Sequence, residues 1–340
     1  MREGQPSSIG RGFLIAVSGV VVWSWTGILI SYLLRHQPIA PMTLAFWRDL
    51  AAAGTLLVAL LLFHRAALRI ARRDRAFLLL YGVSLTLMNM TWTWSVAWNG
   101  AAVSTVLVYS SAGITALAAR LFFGERLGLV RGLAFAGGLA GCVLVAKASD
   151  LRQWNLNGAG IVAGMLSAVS FTWFSMMGKA AAHRGIDPWT ATLCTFGVAA
   201  VALLPIASVA MPGSGATASF LSLGSRWEGW VLLLLLVVPT LGGYGLYTAS
   251  LAHLPAGTAN LIATMEPVLT TVWAYFLLGE SLEGVQLLGG ALILGSVASL
   301  QLEGKLTRLL EGRARAATVC EAPPAAGTDG EASLDRSLAP

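Results

Sequence analysis

Charge is scarce in this sequence. Asp, Glu, Lys and Arg make up 11% of its 340 residues, against about a quarter in ordinary soluble domains. That shortage excludes a soluble globular enzyme. Cysteine is scarce as well. Cys142 and Cys194 lie in apolar stretches and Cys320 in a polar one, an arrangement that makes no disulfide framework. No His-Glu-x-x-His, Cys-x-x-Cys, Gly-x-Ser-x-Gly or phosphate-binding loop occurs, so no enzyme constellation and no nucleotide site is expected. The four histidines, His36, His64, His183 and His253, fall at the ends of apolar stretches. Neither an intramembrane metal centre nor a cofactor is therefore expected. The formal net charge of +6 is spread over particular loops, which reads as a topology signal and not as a nucleic-acid surface.

Long apolar runs are what the sequence has in abundance. Residues 12–34, 40–63, 76–98, 101–123, 127–147, 157–181, 188–211, 227–251, 256–278 and 283–303 are apolar stretches of the length needed to cross a hydrocarbon core of about 30 Å as helices. The first is too long for a signal-peptide core and lacks a clear cleavage site, so it is kept as a span. Asn99-Gly100 and His253-Leu254-Pro255 predict tight helical hairpins. Segment 1–11 reads as a short N-terminus, and 304–340 as a basic then Pro/Ala/Gly/Asp/Glu-rich disordered tail. Its basic part is suited to anionic lipid headgroups.

Alternate loops differ sharply in charge. With the N-terminus in the cytoplasm, seventeen of the 22 lysines and arginines fall on the inside, including Arg65, Arg69, Arg72, Arg73 and Arg75, and four on the outside. This bias predicts an even number of spans in an inner (plasma) membrane with both termini cytoplasmic.

The spans repeat. Phe122-Phe-Gly-Glu-Arg-Leu127 corresponds to Leu277-Leu-Gly-Glu-Ser-Leu282, and residues 101–135 match 256–290 at eight of 35 positions without gaps. Each Gly-Glu falls between the fourth and fifth span of its half. Five spans is an odd number, so the second half must enter the membrane upside down. The first turn keeps Arg126 and Arg131 where the second has Ser281 and Gln286, as inside and outside loops require. The fold class predicted is all-α integral membrane, with ten transmembrane helices as two inverted five-helix repeats, 12–147 and 157–303. Such repeats build alternating-access carriers. In the absence of an ATP-binding motif, transport would be secondary.

Trp23-Ser24, Phe46-Trp47-Arg48, the two Gly-Glu turns, Tyr244-Gly-Leu-Tyr-Thr-Ala-Ser-Leu251 and Met265-Glu266-Pro267-Val268 together resemble the drug/metabolite transporter superfamily, in particular its ten-helix branch with two EamA-type repeats. The resemblance covers about residues 13–302. It implies a metabolite carrier, often an exporter of amino acids or small organic compounds, with a central cavity lined mainly by helices one, three, four, six, eight and nine. Ser111-Ala112 stands in the first repeat where the second has Glu266-Pro267, so helix four is expected to be the straighter of the two.

Glu266 is the sharpest candidate. A charged carboxylate in mid-span costs about 2.5 kcal/mol or more, so it is neutral, paired or facing water. Either it braces a helix crossing or it contacts substrate and couples transport to protons. Arg48 beside Asp49 reads as a local salt bridge or a snorkelling side chain, with binding of a substrate carboxylate as the alternative. Lys179 also reads as a snorkelling side chain. Trp98, Trp154, Trp189, Trp227 and Trp230 fit an interfacial belt. Deep aromatics mixed with amides and hydroxyls suit a small amphipathic molecule, and the expected pocket residues are Trp23, Asn89, Trp92, Tyr109, Trp173, Tyr244, Tyr247 and Asn260. The expected partners are a small-molecule substrate, membrane lipid and protons as coupling ion. Against this reading stand a nucleotide-sugar or lipid-type carrier, which wants several intramembrane basic residues, an integral membrane enzyme, and a non-transporting scaffold.

Overall fold

Among the described residues, seven helices are long and apolar enough to span a bilayer, and the helices Leu129–Val145 and Gly284–Leu300 are shorter apolar ones. The structure, a computed structural model, describes residues 6–36, 40–124, 128–147, 157–208, 227–278, 283–300 and 302. Its helices are α1 (Pro6–His36), α2 (Pro41–Phe63), α3 (Arg75–Tyr109), α4 (Ser111–Phe123), α5 (Leu129–Val145), α6 (Gly158–His183), α7 (Pro188–Ser208), α8 (Trp227–Ser250), α9 (Ala256–Ala263), α10 (Glu266–Leu278) and α11 (Gly284–Leu300). Two 3-10 turns, Arg65–Leu68 and Arg72–Asp74, bridge α2 and α3. Among the described residues there is no strand. Helix already begins at Pro6, inside the segment expected as a short N-terminus. Glu125 to Leu127, Gly279 to Leu282, Trp154, the loop 212–226 and the tail 304–340 lie outside the described residues.

Ten crossings follow once two elements are read correctly. α3 is 35 residues long, about 52 Å if straight, yet the Ser104 hydroxyl donates to Ser95 Oγ at 2.8 Å. Nine residues of straight helix separate such groups by about 13 Å. The chain therefore reverses at Asn99-Gly100, and α3 holds the third span and the start of the fourth. α9 and α10 are two pieces of the ninth span, parted at Thr264-Met265.

That break has a twin. The fourth span is interrupted at Ser110, which corresponds to Met265 in the second repeat. The expectation of a straighter helix four is corrected here. A hydroxyl bonds back at both breaks, Ser110 Oγ donating to Leu107 O and Thr264 Oγ1 to Leu261 O, both at 2.6 Å, and in the second repeat Pro267 also lacks the N–H that would continue the ladder to Ala263. Side-chain bonds to the preceding turn compete with the helical ladder in both halves.

Helix starts use familiar local devices. Pro41 sits in the first turn of α2, where its missing N–H costs nothing. Asn157 caps α6 by accepting from Ala159 N at 2.9 Å, satisfying an orphan donor. Gly160 lets that helix approach the α3 hairpin, because a Cβ there would lie 2.6 Å from the Asn99 side chain.

The contacts fix the polarity of the halves. Thr190, at the start of α7, donates to the carbonyl of Ala67 just past the end of α2 at 2.9 Å, while Met42 at the start of α2 packs with Leu203 near the end of α7. The two helices are antiparallel. Arg184–Asp74 (3.3 Å) and Asn157 N donating to Asn99 Oδ1 (2.9 Å) mark the two ends of an antiparallel α3–α6 pair. Ala116 meets Gly257, Ser111 meets Asn260 and Tyr109 meets Glu266, so the fourth and ninth spans also run in opposite directions. Exchanging the halves maps the α1–α8 packing onto α6–α3 and the α2–α8 packing onto α7–α3. Two five-span repeats of opposite polarity give this pattern. Leu62, Phe63, Leu121, Phe122, Val201 and Val238 project outward, each more than half exposed, as lipid-facing side chains do.

Candidate functional site

The bundle has an arginine-rich end, where residues 64–75 run, and an arginine-poor end, where α1 finishes and α2 begins. The arginine-rich end is packed shut. Tyr81, Phe174 and Tyr247 are fully buried there, with ring centroids 4.9 Å apart for Tyr81–Phe174 and 6.3 Å for Phe174–Tyr247. Lys179 Nζ donates to the carbonyls of Leu251 and Leu254 at 3.0 and 2.7 Å, tying α6 to the end of α8. The expectation of a snorkelling Lys179 gives way to this latch.

The other half of the bundle holds a cavity of about 600 Å³, within the range of small-molecule sites. Ile30 late in α1, Pro41 and Leu44 early in α2, and Val145 and Ala146 at the end of α5 form its outer wall, which places it towards the arginine-poor end. Deeper, it is lined by Trp23, Asn89, Trp92, Tyr109, Tyr244 and Glu266. The resemblance named six helices; the second also contributes, through Pro41, Leu44, Ala45 and Arg48.

Each deep residue has a local cause. Trp23 packs on α8 because Gly243 has no side chain: a Cβ there would lie 2.6 Å from Trp23 Cβ. The indole meets the Tyr244 ring at 4.4 Å between centroids, and Tyr244 in turn meets Phe174 at 5.8 Å. The cavity floor and the closed end are thus one aromatic stack. Tyr109 stands at the fourth-span break and donates its hydroxyl to Glu266 Oε2. Glu266 opens α10 at the ninth-span break, half-buried, with Gly27 of α1 opposite its other oxygen. Asn89 Nδ2 donates to Asp49 Oδ2 at 2.9 Å.

Three expected pocket residues stand elsewhere. Tyr247 is 1% exposed inside the aromatic plug, its hydroxyl 2.7 Å from Ser175 Oγ. Asn260 is wholly buried. It accepts from Ser111 Oγ at 3.2 Å and donates to Thr115 Oγ1 at 2.9 Å and Ser175 Oγ at 3.3 Å, a hub between the halves. Trp173 is half-buried and off the cavity wall. Helical spacing alone did not separate the open side of each span from the closed one. Thr26, Thr105 and Thr270 line the cavity and were missed, since a threonine in an apolar run carries no distinguishing signal. Of the expected belt, Trp98, Trp227 and Trp230 are well exposed, whereas Trp189 packs against Gly245.

The profile of the EamA-like transporter family matches residues 10–147 and again residues 158–301. The chain belongs to this family. An uncharacterized transporter of Archaeoglobus fulgidus is 29% identical over 197 residues, 58% of this chain and 65% of that protein, so the chain spans just under two thirds of its length. The threonine/homoserine exporter RhtA of Salmonella typhimurium is 27% identical over 76% of this chain and 83% of its own. A probable amino-acid metabolite efflux pump of the same species is 25% identical over 84% and 93%. One solved crystal structure overlays with a TM-score of 0.70 at 17% identity, covering 87% of this chain and 99% of that one, which is agreement in fold. This EamA-like chain is a multi-pass membrane protein of a transporter family, and the names of its relatives point to transport and not to catalysis.

Proposed function

We propose that this protein is a secondary transporter that exports a small amphipathic metabolite, amino-acid-like in character, by alternating access. The observation that carries the reading is a cavity of about 600 Å³ lying towards the arginine-poor end, with Glu266 set in its wall at a broken span. Inverted repeats give two packings of near-equal energy, and a cavity reaching towards one end is one of them. The relatives named as exporters of threonine and homoserine, or of amino-acid metabolites, support the substrate class. Trp23, Asn89, Trp92, Tyr109 and Tyr244 contact the solute, and Glu266 exchanges a proton for it. The arginine-rich end faces the cytoplasm, with both termini on that side, so the cavity points outward.

The test is counterflow in proteoliposomes with radiolabelled threonine, homoserine and other amino acids at two pH values. Saturable exchange that responds to a pH gradient is expected. Absence of saturable flux for every amino acid would overturn the substrate class. A reporter fused after Pro340 that is active only in the periplasm would overturn the orientation.

A further inference from the structure

The cavity wall holds a cation with hydrogen-bonding capacity left over. Arg48 is 8% exposed and Asp49 wholly buried. The two are neighbours in sequence, and their pairing is lopsided. Arg48 Nε donates to Asp49 Oδ1 at 3.0 Å. Nη2 lies 2.9 Å from that same oxygen, without the alignment of a hydrogen bond, and is buried with no hydrogen-bond partner among the described residues. The second carboxylate oxygen is occupied by Asn89. Asp49 therefore neutralises and orients the guanidinium but engages only one edge of it.

A guanidinium presents five donors in a rigid planar fork, and a buried donor without a partner is costly to leave so. The hydroxyl of Thr26 is likewise buried without a partner. Arg48 and Thr26 both line the cavity. They stand on α2 and α1, so a ligand between them would bridge two helices.

We propose that Arg48, held by Asp49 and Asn89 and assisted by Thr26, is the subsite for a carboxylate group of the transported solute. This rests on the transport reading above and deepens it. The carboxylate accepts from the Nη edge of the guanidinium, a geometry that suits its two oxygens, and Thr26 donates to it, once side-chain rotation brings Nη2 and the Thr26 hydroxyl, both shielded from solvent in this state, to the cavity surface. Arg48 is thereby a determinant of specificity: a solute whose carboxylate is replaced by an amide or an alcohol leaves the fork unmatched.

The experiment measures binding and does not require turnover. Purified full-length protein is titrated with L-threonine, L-threoninamide and butyrate, following the fluorescence of the cavity tryptophans. Because Arg48→Gln alone strands a buried aspartate, the variant is the neutral pair Arg48→Gln/Asp49→Asn, with Arg48→Lys as the conservative one. In the wild type the acid should bind at least about tenfold tighter than the amide, as charge-assisted bonds require. The ratio should fall to near one in the neutral pair and partly return with lysine. Butyrate binding that depends on Arg48, without threonine binding, would sustain the subsite and overturn the amino-acid reading. A preference for acid over amide that survives in the neutral pair, or no such preference for either probe in the wild type, overturns the subsite.

Discussion

Four pairs of residues 155 apart hold equivalent places in the two repeats with opposite surroundings, while a fifth pair, Asn89 and Tyr244, lines the cavity from both halves. Glu266, Thr270, Thr105 and Trp92 line the cavity. Their counterparts Ser111, Thr115, Asn260 and Tyr247 are buried in the hydroxyl–amide hub and the aromatic plug. The same set of backbone positions is thus present twice, once open and once closed. Two environments for one set of positions are the condition for a two-state exchange of near-equal energies. Chemistry breaks the symmetry at one telling pair, the carboxylate of Glu266 against the hydroxyl of Ser111.

The sharpest way to break this comparison is to hollow out each side in turn. Phe174→Ala removes a ring packed between Tyr81, Tyr247 and Tyr244, and should cost about 3–5 kcal/mol. Trp92→Ala enlarges a space that already exists and should cost much less, while weakening solute binding about tenfold. Thermal melting in detergent and a binding titration read the two effects. Equal losses of stability would mean that the cavity is not open. One step smaller is the hub. Asn260→Ala strands the Ser111 hydroxyl and takes one bond each from Thr115 and Ser175, which keep Thr172 and Tyr247 as partners; it should cost about 1–3 kcal/mol, whereas Thr105→Ala, its counterpart on the cavity wall, should stay within about 0.5 kcal/mol.

These contrasts bear on what the sequence could tell. Span number, repeat and inversion were legible because apolar length and arginine placement are strong, local signals. The hairpin at Asn99-Gly100 was legible for the same reason. The division into open and closed sides was not. Trp92 and Tyr247 look alike in sequence, both aromatic and both near threonine in an apolar run. Which one meets space depends on the state of the bundle, a property of packing between helices far apart in the chain. The break at Ser110 was missed because proline is a visible breaker, whereas serine is not: Ser84 makes the same bond to the preceding turn without interrupting its helix.

The latch offers a gentler perturbation. Lys179→Met withdraws the donors that hold the carbonyls of Leu251 and Leu254 while keeping the apolar stem in place. Losing charge-assisted bonds from one state only shifts the balance towards opening of the arginine-rich end by about tenfold. The check is the alkylation rate of Ser250→Cys in a background lacking the native cysteines, with and without the lysine change. An unchanged rate would remove Lys179 from the closure.

A small effect on stability is also expected from Glu266→Gln, and it separates the two readings of that side chain. Glutamine keeps the shape, and its amide oxygen still accepts from Tyr109, so melting should move by less than about 1 kcal/mol. A bracing role predicts that transport survives with it. A coupling role predicts otherwise. If solute and proton take turns at the carboxylate, acidification should slow exchange in the wild type, because protonation removes the charge that the solute needs. Glutamine cannot alternate between charged and neutral, so exchange in the variant should be slow and its pH profile flat. Counterflow measured across pH in both proteins decides the matter: a variant that exchanges at the wild-type rate and keeps the wild-type profile leaves Glu266 as a strut at a helix crossing, and the difference between Glu266 and Ser111 as an accident of packing.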